Sequence, residues 1–209
     1  MCSEMVAVSG GAISAAAKPT MVFLHGRGGS ESDADVLCDA FGEVELVAFR
    51  GRLIAGGGYA WFHNVSPGIA DNESLRGEVV ALEQALDRRF PNHKPWLCGF
   101  SNGAAMAAAL LLSRPGRYCG GLLLSGPIVD PKPWPQDRLR GLAVLTVYGA
   151  GDRLIPHELL QQSSEYLTQQ SGAEATLRVV ADGHEISAAK LRIASEWLAR
   201  RTQTRRPPA

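Results

Sequence analysis

The chain has 209 residues, 45% of them hydrophobic, and its 21 basic and 21 acidic side chains leave a formal net charge of zero. That length suits one domain built on a single large core. Charge balance removes the electrostatic attraction for nucleic acid or anionic lipid, so neither is an expected partner. The longest apolar run, Ala104 to Leu112, is far short of the ~18–20 residues that a bilayer requires.

In chain order, the opening MCSEMVAVSG has an acid where a secretory signal would place Lys or Arg. Residues 5–14 read as an edge hairpin, and 1–17 as an edge segment of the domain. Apolar runs at 20–24 (TMVFL) and 44–49 (VELVAF) read as strands, with a short helix over 32–41 between them. A long helix is predicted over 72–89, with Asp71 or Asn72 as its cap and Leu75, Val79, Leu82 and Leu86 as its apolar stripe. Strands at 95–99, 121–125, 142–148 and 175–180 alternate with helices at 102–113, 157–170 and 187–200. In the last helix Leu191, Ala194 and Leu198 share a side. Most of the strands are continuous hydrophobic runs, the mark of a parallel sheet covered on both faces. Residues 126–141 (GPIVDPKPWPQDRLRG) form a proline-rich loop too short to be a cap domain. Residues 202–209, with Arg205-Arg206 before two prolines, read as a disordered tail.

The expectation is therefore a single-domain α/β fold, a mostly parallel sheet with helices on both faces. The four cysteines (Cys2, Cys38, Cys98, Cys119) have neither metal-ligand spacing nor a dense disulfide pattern. Cys98 and Cys119 read as buried thiols, and a reducing, cytoplasmic setting is expected.

The segment Gly99-Phe100-Ser101-Asn102-Gly103 places one hydroxyl between two glycines, at the seam between a strand and a helix. Such a turn holds a nucleophile at the carboxyl edge of a sheet, and glycines on either side remove side chains that would clash. The helix beginning at Asn102 points its free N–H groups and positive dipole end towards Ser101. Alternatively, Ser101 could merely cap that helix.

A serine hydroxyl needs a base, and the base an orienting acid, expected in the chain order Ser, Asp or Glu, His. His184, in Ala181-Asp182-Gly183-His184-Glu185, lies just past the last strand. His157 opens a helix and reads as a surface residue. Asp152, after the strand LAVLTVY, is the acid candidate; Asp130 is its rival, and Asp182 could shape the histidine loop. Backbone N–H groups of Asn102 and of Arg27, in the glycine-rich loop Leu24-His25-Gly26-Arg27-Gly28-Gly29-Ser30, are the candidate donors for an oxyanion hole. His25 precedes the serine, the wrong order for the base, and reads as a residue that shapes its loop.

Taken together, FLHGRGGSESD, GFSNGAAMAAALLL, YGAGDRLIP and DGHEIS, in this order, resemble the α/β-hydrolase superfamily. Within it they resemble the small, cap-less phospholipase/carboxylesterase family that includes acyl-protein thioesterases. Trp61-Phe62-His63-Asn64 is a fifth match, and the resemblance spans residues 18–198. Thioesterase-like members usually carry Gln after the nucleophile and Asp after Trp-Phe. Here those positions are Asn102 and His63, and the Ser-Asn-Gly turn looks closer to the bacterial esterase branch.

The resemblance implies a serine carboxylesterase acting on small, accessible esters. Ser101 would be its nucleophile, His184 its base and Asp152 the orienting acid. Tyr59, Trp61 and Phe62, on a glycine-flanked loop, would line the substrate pocket; the alternative is that Trp61 and Phe62 are ordinary packing residues. No metal or cofactor is implied, the expected partner is a small-molecule ester, and a homodimer is left open. An acyl-protein thioesterase or lysophospholipase is the runner-up. Acyl transfer to an acceptor other than water stays open, and a non-catalytic ligand-binding protein is the reading from outside enzymes.

Overall fold

Strand segments that are apolar on both sides need cover on both sides. The computed structural model, which describes residues 7–9 and 18–203, provides it. Among the described residues the first elements are β1 (Ala7–Ser9) and β2 (Thr20–Leu24), then a 3-10 turn, Glu31–Ala34, leads into α1 (Asp35–Cys38) and β3 (Glu45–Phe49). Two hairpins follow, β4 (Leu53–Ala55) with β5 (Gly58–Ala60) and β6 (Asn64–Ser66) with β7 (Ile69–Ala70). Next come α2 (Asn72–Arg89), β8 (Trp96–Phe100), α3 (Asn102–Ser113) and β9 (Gly120–Leu124). The last elements are β10 (Ala143–Gly149), α4 (His157–Gln169), β11 (Glu174–Val180) and α5 (Ala188–Gln203).

One seven-stranded sheet has the order β1-β3-β2-β8-β9-β10-β11. Only β1 is antiparallel, against β3; every other pairing is parallel. Side chains alternate between the two faces as a strand's period of two requires. In β2, Val22 and Leu24 join a core with α2, α3 and α4, while Met21 and Phe23 join one with α1 and α5. This is the α/β-hydrolase architecture that the sequence implied.

Two helices show why their sequences fold as they do. Every residue of α3 from Asn102 to Leu112 is buried, as an all-round apolar helix demands. α2 is amphipathic: it buries Leu75, Leu82, Ala85 and Leu86, with Val79 half-buried. Asp71 caps it, accepting from the Ser74 N–H at 2.8 Å, and Arg88 and Arg89 face the negative end of its dipole.

Four expectations are corrected. The helix predicted over 32–41 is a 3-10 turn and one helical turn. Its Ser and Asp side chains compete for backbone groups, and Ser30 accepts from Ser32 N–H at 3.2 Å. Residues 53–70 hold two hairpins where no strand was predicted. α5 runs to Gln203, so residues 202 and 203 are helical, and 204–209 lie outside the described residues. Cys119 is half-buried and Cys38 exposed; among the described residues Cys98 alone is a deeply buried thiol, its pKa pushed up to about 12 by burial. Of the predicted N-terminal hairpin, only β1 falls among the described residues.

The proline-rich loop 126–141 is pinned to α4. Ser163 Oγ accepts from the Ile128 N–H at 2.8 Å, and the Tyr166 hydroxyl donates to Pro135 O at 2.7 Å. Within it Asp130 is largely buried, its Oδ2 without a hydrogen-bond partner among the described residues, and burial raises its pKa to about 6.

Leu82 has no exposed surface, so Leu82→Ala is expected to cost about 2–5 kcal/mol in a urea melt. Asp130 gives a pH-dependent expectation. Its folded pKa lies above the ordinary 3.8, so from about pH 4 to 6 the native state holds more of this proton than the unfolded chain. The contribution of Asp130 to stability therefore falls as pH rises through that window. Asp130→Asn should be more favourable at pH 8 than at pH 4, by on the order of 2 kcal/mol. Equal effects at both pH values, read in paired urea melts, would refute this.

Candidate active site

At Ser101 the chain passes from β8 into α3 with φ 54° and ψ −116°, a conformation that side-chain-bearing residues avoid. Two hydrogen bonds hold it there: Ser101 N–H donates to Leu124 O at 2.8 Å, and Ser101 O accepts from Ala105 N–H at 3.0 Å. Glycine is required on both sides. A Cβ at position 99 would overlap the Gly103 carbonyl, and one at 103 would overlap the carbonyls of Leu24 and His25. Ser101 makes no side-chain cap to α3. Its Oγ faces His184 instead, which removes the helix-capping alternative.

His184, in the loop between β11 and α5, has its Nε2 2.8 Å from Ser101 Oγ and its Nδ1 2.6 Å from Asp152 Oδ2. A carboxylate only accepts, so Nδ1 carries the proton, leaving Nε2 free to accept from the serine hydroxyl. Asp152 lies in the loop after β10 and is 4% exposed. Its other oxygen, Oδ1, accepts from the N–H groups of Leu154 (2.9 Å) and Ile155 (3.0 Å). Burial alone would raise the pKa of Asp152. The Ile155 amide, His184 and the Leu154 amide outweigh it and hold the carboxyl below its ordinary value. The His184 ring packs on Phe100, centroids 5.2 Å apart.

The other candidates fall elsewhere. His157 is exposed at the start of α4, and the carboxyl of Asp130 is not the partner of His184. Asp182 accepts from the Ser187 hydroxyl and so shapes the histidine loop. His25 is buried and shapes its own loop: its Nδ1–H donates to Gly26 O at 2.7 Å, and its Nε2 accepts from Gly51 N–H at 3.0 Å. Burial lowers its pKa, keeping the ring neutral.

A cavity of about 320 Å³ opens beside Ser101, and Arg27 and Asn102 line it too. Among the described residues no group accepts from the backbone N–H of Arg27 or Asn102. Apolar walls come from Phe62, Ala105, Pro127, Val129, Leu154 and Ile155, and one side is closed by the β6–β7 hairpin through Asn64, Ser66, Pro67 and Gly68.

Of the three aromatics expected at the pocket, Phe62 lines it and the other two do not. Trp61 is wholly buried, donating its Nε1–H to His25 O at 2.8 Å, while its backbone N–H donates to Asn102 Oδ1 at 2.8 Å. Tyr59 lies under Arg50, whose guanidinium sits 4.7 Å from the ring centroid. Both aromatics brace the loops around the site. The hairpin wall went unseen in the sequence, although Gly56-Gly57 and Pro67-Gly68 between short extended pieces are turn signals that mark such hairpins. Among the described residues no group of three or more His, Cys, Asp or Glu side chains is arranged to hold a metal ion, and no helix is long and apolar enough to cross a membrane.

The Phospholipase/Carboxylesterase family model matches residues 56–201. The MhqD protein of Bacillus subtilis (strain 168) is 28% identical over 183 residues, 85% of this chain and 90% of that protein. A carboxylesterase from Mesorhizobium loti superposes with TM-score 0.80 at 27% identity, covering 88% of this chain and 89% of its own. A carboxylesterase of Bacillus cereus shares the fold with TM-score 0.84 at 24% identity, covering 94% of both chains. The strand-to-helix serine turn, the sheet order and these likenesses agree: the chain belongs to the phospholipase/carboxylesterase family of α/β-hydrolase enzymes.

Proposed function

We propose that the protein hydrolyses small, accessible carboxylic esters through Ser101, His184 and Asp152. The observation that carries this reading is the unbroken hydrogen-bonded row from Ser101 Oγ through the imidazole to a buried carboxylate, at 2.8 and 2.6 Å. Ser101 Oγ attacks the ester carbonyl carbon while His184 Nε2 takes its proton. The carbonyl oxygen becomes an oxyanion that accepts from the N–H groups of Arg27 and Asn102. One such donor is typically worth about 2.7–4 kcal/mol of transition-state stabilisation.

The C–O bond to the alcohol then breaks, and His184 returns the proton to the departing oxygen, leaving an acyl-serine. Water, deprotonated by the same imidazole, releases the acid and restores Ser101. Throughout, the ionised Asp152 keeps His184 in one tautomer and balances the transient imidazolium. Asp152 is suited to this because two amides and the imidazole hold its carboxyl below the ordinary range.

The cavity favours the substrate class. At about 320 Å³ it is at the small end of ligand pockets, and its walls are mainly apolar. Short acyl groups fit this better than long ones. A lysophospholipase shares these steps and differs in the acyl chain that the pocket accepts, whereas a thioesterase forms the same acyl-serine by breaking a C–S bond and releasing a thiol.

A fluorophosphonate probe is expected to label the native chain. Ser101→Ala should abolish both labelling and p-nitrophenyl ester turnover; labelling that persists in that variant would sink the reading. A series of p-nitrophenyl esters from acetate to palmitate should show kcat/KM highest at short chains. A maximum at long chains would replace the esterase reading with the thioesterase or lysophospholipase one.

A further inference from the structure

His184 sits on a connection only seven residues long between β11 and α5, and its orientation depends on what holds that connection still. Lys190 stands at its edge, in the first turn of α5, with no exposed surface. The position is unfavourable twice over. A cation there opposes the positive end of the helix dipole, and a buried ammonium loses its hydration.

What offsets this is specific to the histidine loop. Lys190 Nζ donates to Gly183 O at 2.7 Å and to Glu185 O at 2.8 Å, the carbonyls on either side of His184. The carboxylates of Glu185, Asp182 and Asp152 balance its charge. The loop is tied further by Gly183 N–H donating to Glu185 Oε1 at 3.0 Å, by the Ser187 hydroxyl donating to Asp182, and by Lys190 N–H donating to Ser187 Oγ at 3.2 Å. None of these ties spans His184 as the ammonium does, which has no exposed surface and reaches both neighbours of the imidazole.

We propose that Lys190 is a positioning residue for His184. By clamping both flanking carbonyls from below, it fixes the loop so that Nδ1 faces Asp152 while Nε2 faces Ser101. The inference rests on the proposed role of His184 in ester hydrolysis. A misplacement of about 1 Å at a catalytic base is enough to cost up to ~100-fold in rate, and partners that orient a reacting group typically matter by about 10–100-fold. Binding of the ester, in a cavity that Lys190 does not line, should be spared.

The test is Lys190→Met, which keeps the length and apolar stem but removes the donors and the charge. Kinetics on p-nitrophenyl acetate, near-UV circular dichroism and the low-field proton resonance of His184 Nδ1–H are read together. The expected result is a folded chain with kcat lowered about 10–100-fold, KM changed less than about twofold, and the low-field resonance moved or lost. A folded Lys190→Met with kcat within twofold of the parent, or one whose kcat falls with the resonance unmoved, overturns the proposal. If Lys190→Met does not fold, Lys190→Gln, which keeps a donor too short to reach both carbonyls, is judged by the same outcomes. Ser101→Ala run alongside separates the two readings. A parent labelled at Ser101 beside an unaffected Lys190→Met sinks only the role of Lys190, whereas turnover that survives Ser101→Ala sinks the hydrolytic mechanism itself.

Discussion

At Ser101 three lengths of backbone must share a space that admits no extra carbon atom. The serine takes a positive φ, the Gly99 Cα faces the Gly103 carbonyl, and the Gly103 Cα faces the end of β2. Local strain of this kind costs on the order of 1–3 kcal/mol and persists only where the surroundings fix it. Here the surroundings are β9, whose Leu124 carbonyl holds the Ser101 N–H, and α3 behind it, buried from Asn102 to Leu112. The same crossing brings the loop after β2 beside the start of α3. Hydroxyl, helix N-terminus and the loop bearing Arg27 are thus delivered to one cavity by a single packing constraint.

Around that turn the polar groups are matched individually. Asp152 has one oxygen on two backbone amides and the other on the imidazole, so a nearly inaccessible carboxylate stays ionised. Arg50 is held by both oxygens of Glu31, and Arg52 reaches the buried Glu78 at 2.9 and 2.8 Å, so the carboxylates near the hairpins are also neutralised. His25, buried and uncharged, ties the loop of Arg27 to Gly51. Not every group is matched: Asn102 Nδ2 and Ser125 Oγ beside the turn, and Asp130 Oδ2 in the proline-rich loop, have no hydrogen-bond partner among the described residues.

Much of this could be read in advance, for reasons that differ by element. The helix Asn72–Arg89 starts where cap and apolar spacing agree, and Asn102–Ser113 is an unbroken run of helix formers after the glycine-flanked turn; the sequence bounds of both coincide with the observed ones. The strands of the parallel sheet lie within a residue of their apolar runs because burial on both faces leaves no other pattern available. Ser101, Asp152 and His184 stood out because each lies at or in the loop just past the end of such a run. The hairpins between Leu53 and Ala70 did not: strands of two or three residues are too short to show a period, and their pairing depends on what they pack against. Trp61 looked like a pocket residue because an aromatic beside glycines reads the same whether it faces a ligand or the core. Lys190 carries no signal of its own in the sequence, since lysine on a helix is nearly always solvated, and only the path of the loop over it shows that this one is buried.

The β6–β7 hairpin lies outside the central sheet and pairs only with itself, yet it forms one wall of the cavity. Val65 and Ile69, on its strands, are 72% and 49% exposed, so the core does not dictate their size. A part that borders the reaction space while bearing little of the fold's weight is free to diverge. Evolution, or a designer, can retune the accepted ester there by exchanging a few residues while the elbow and its partners stay untouched.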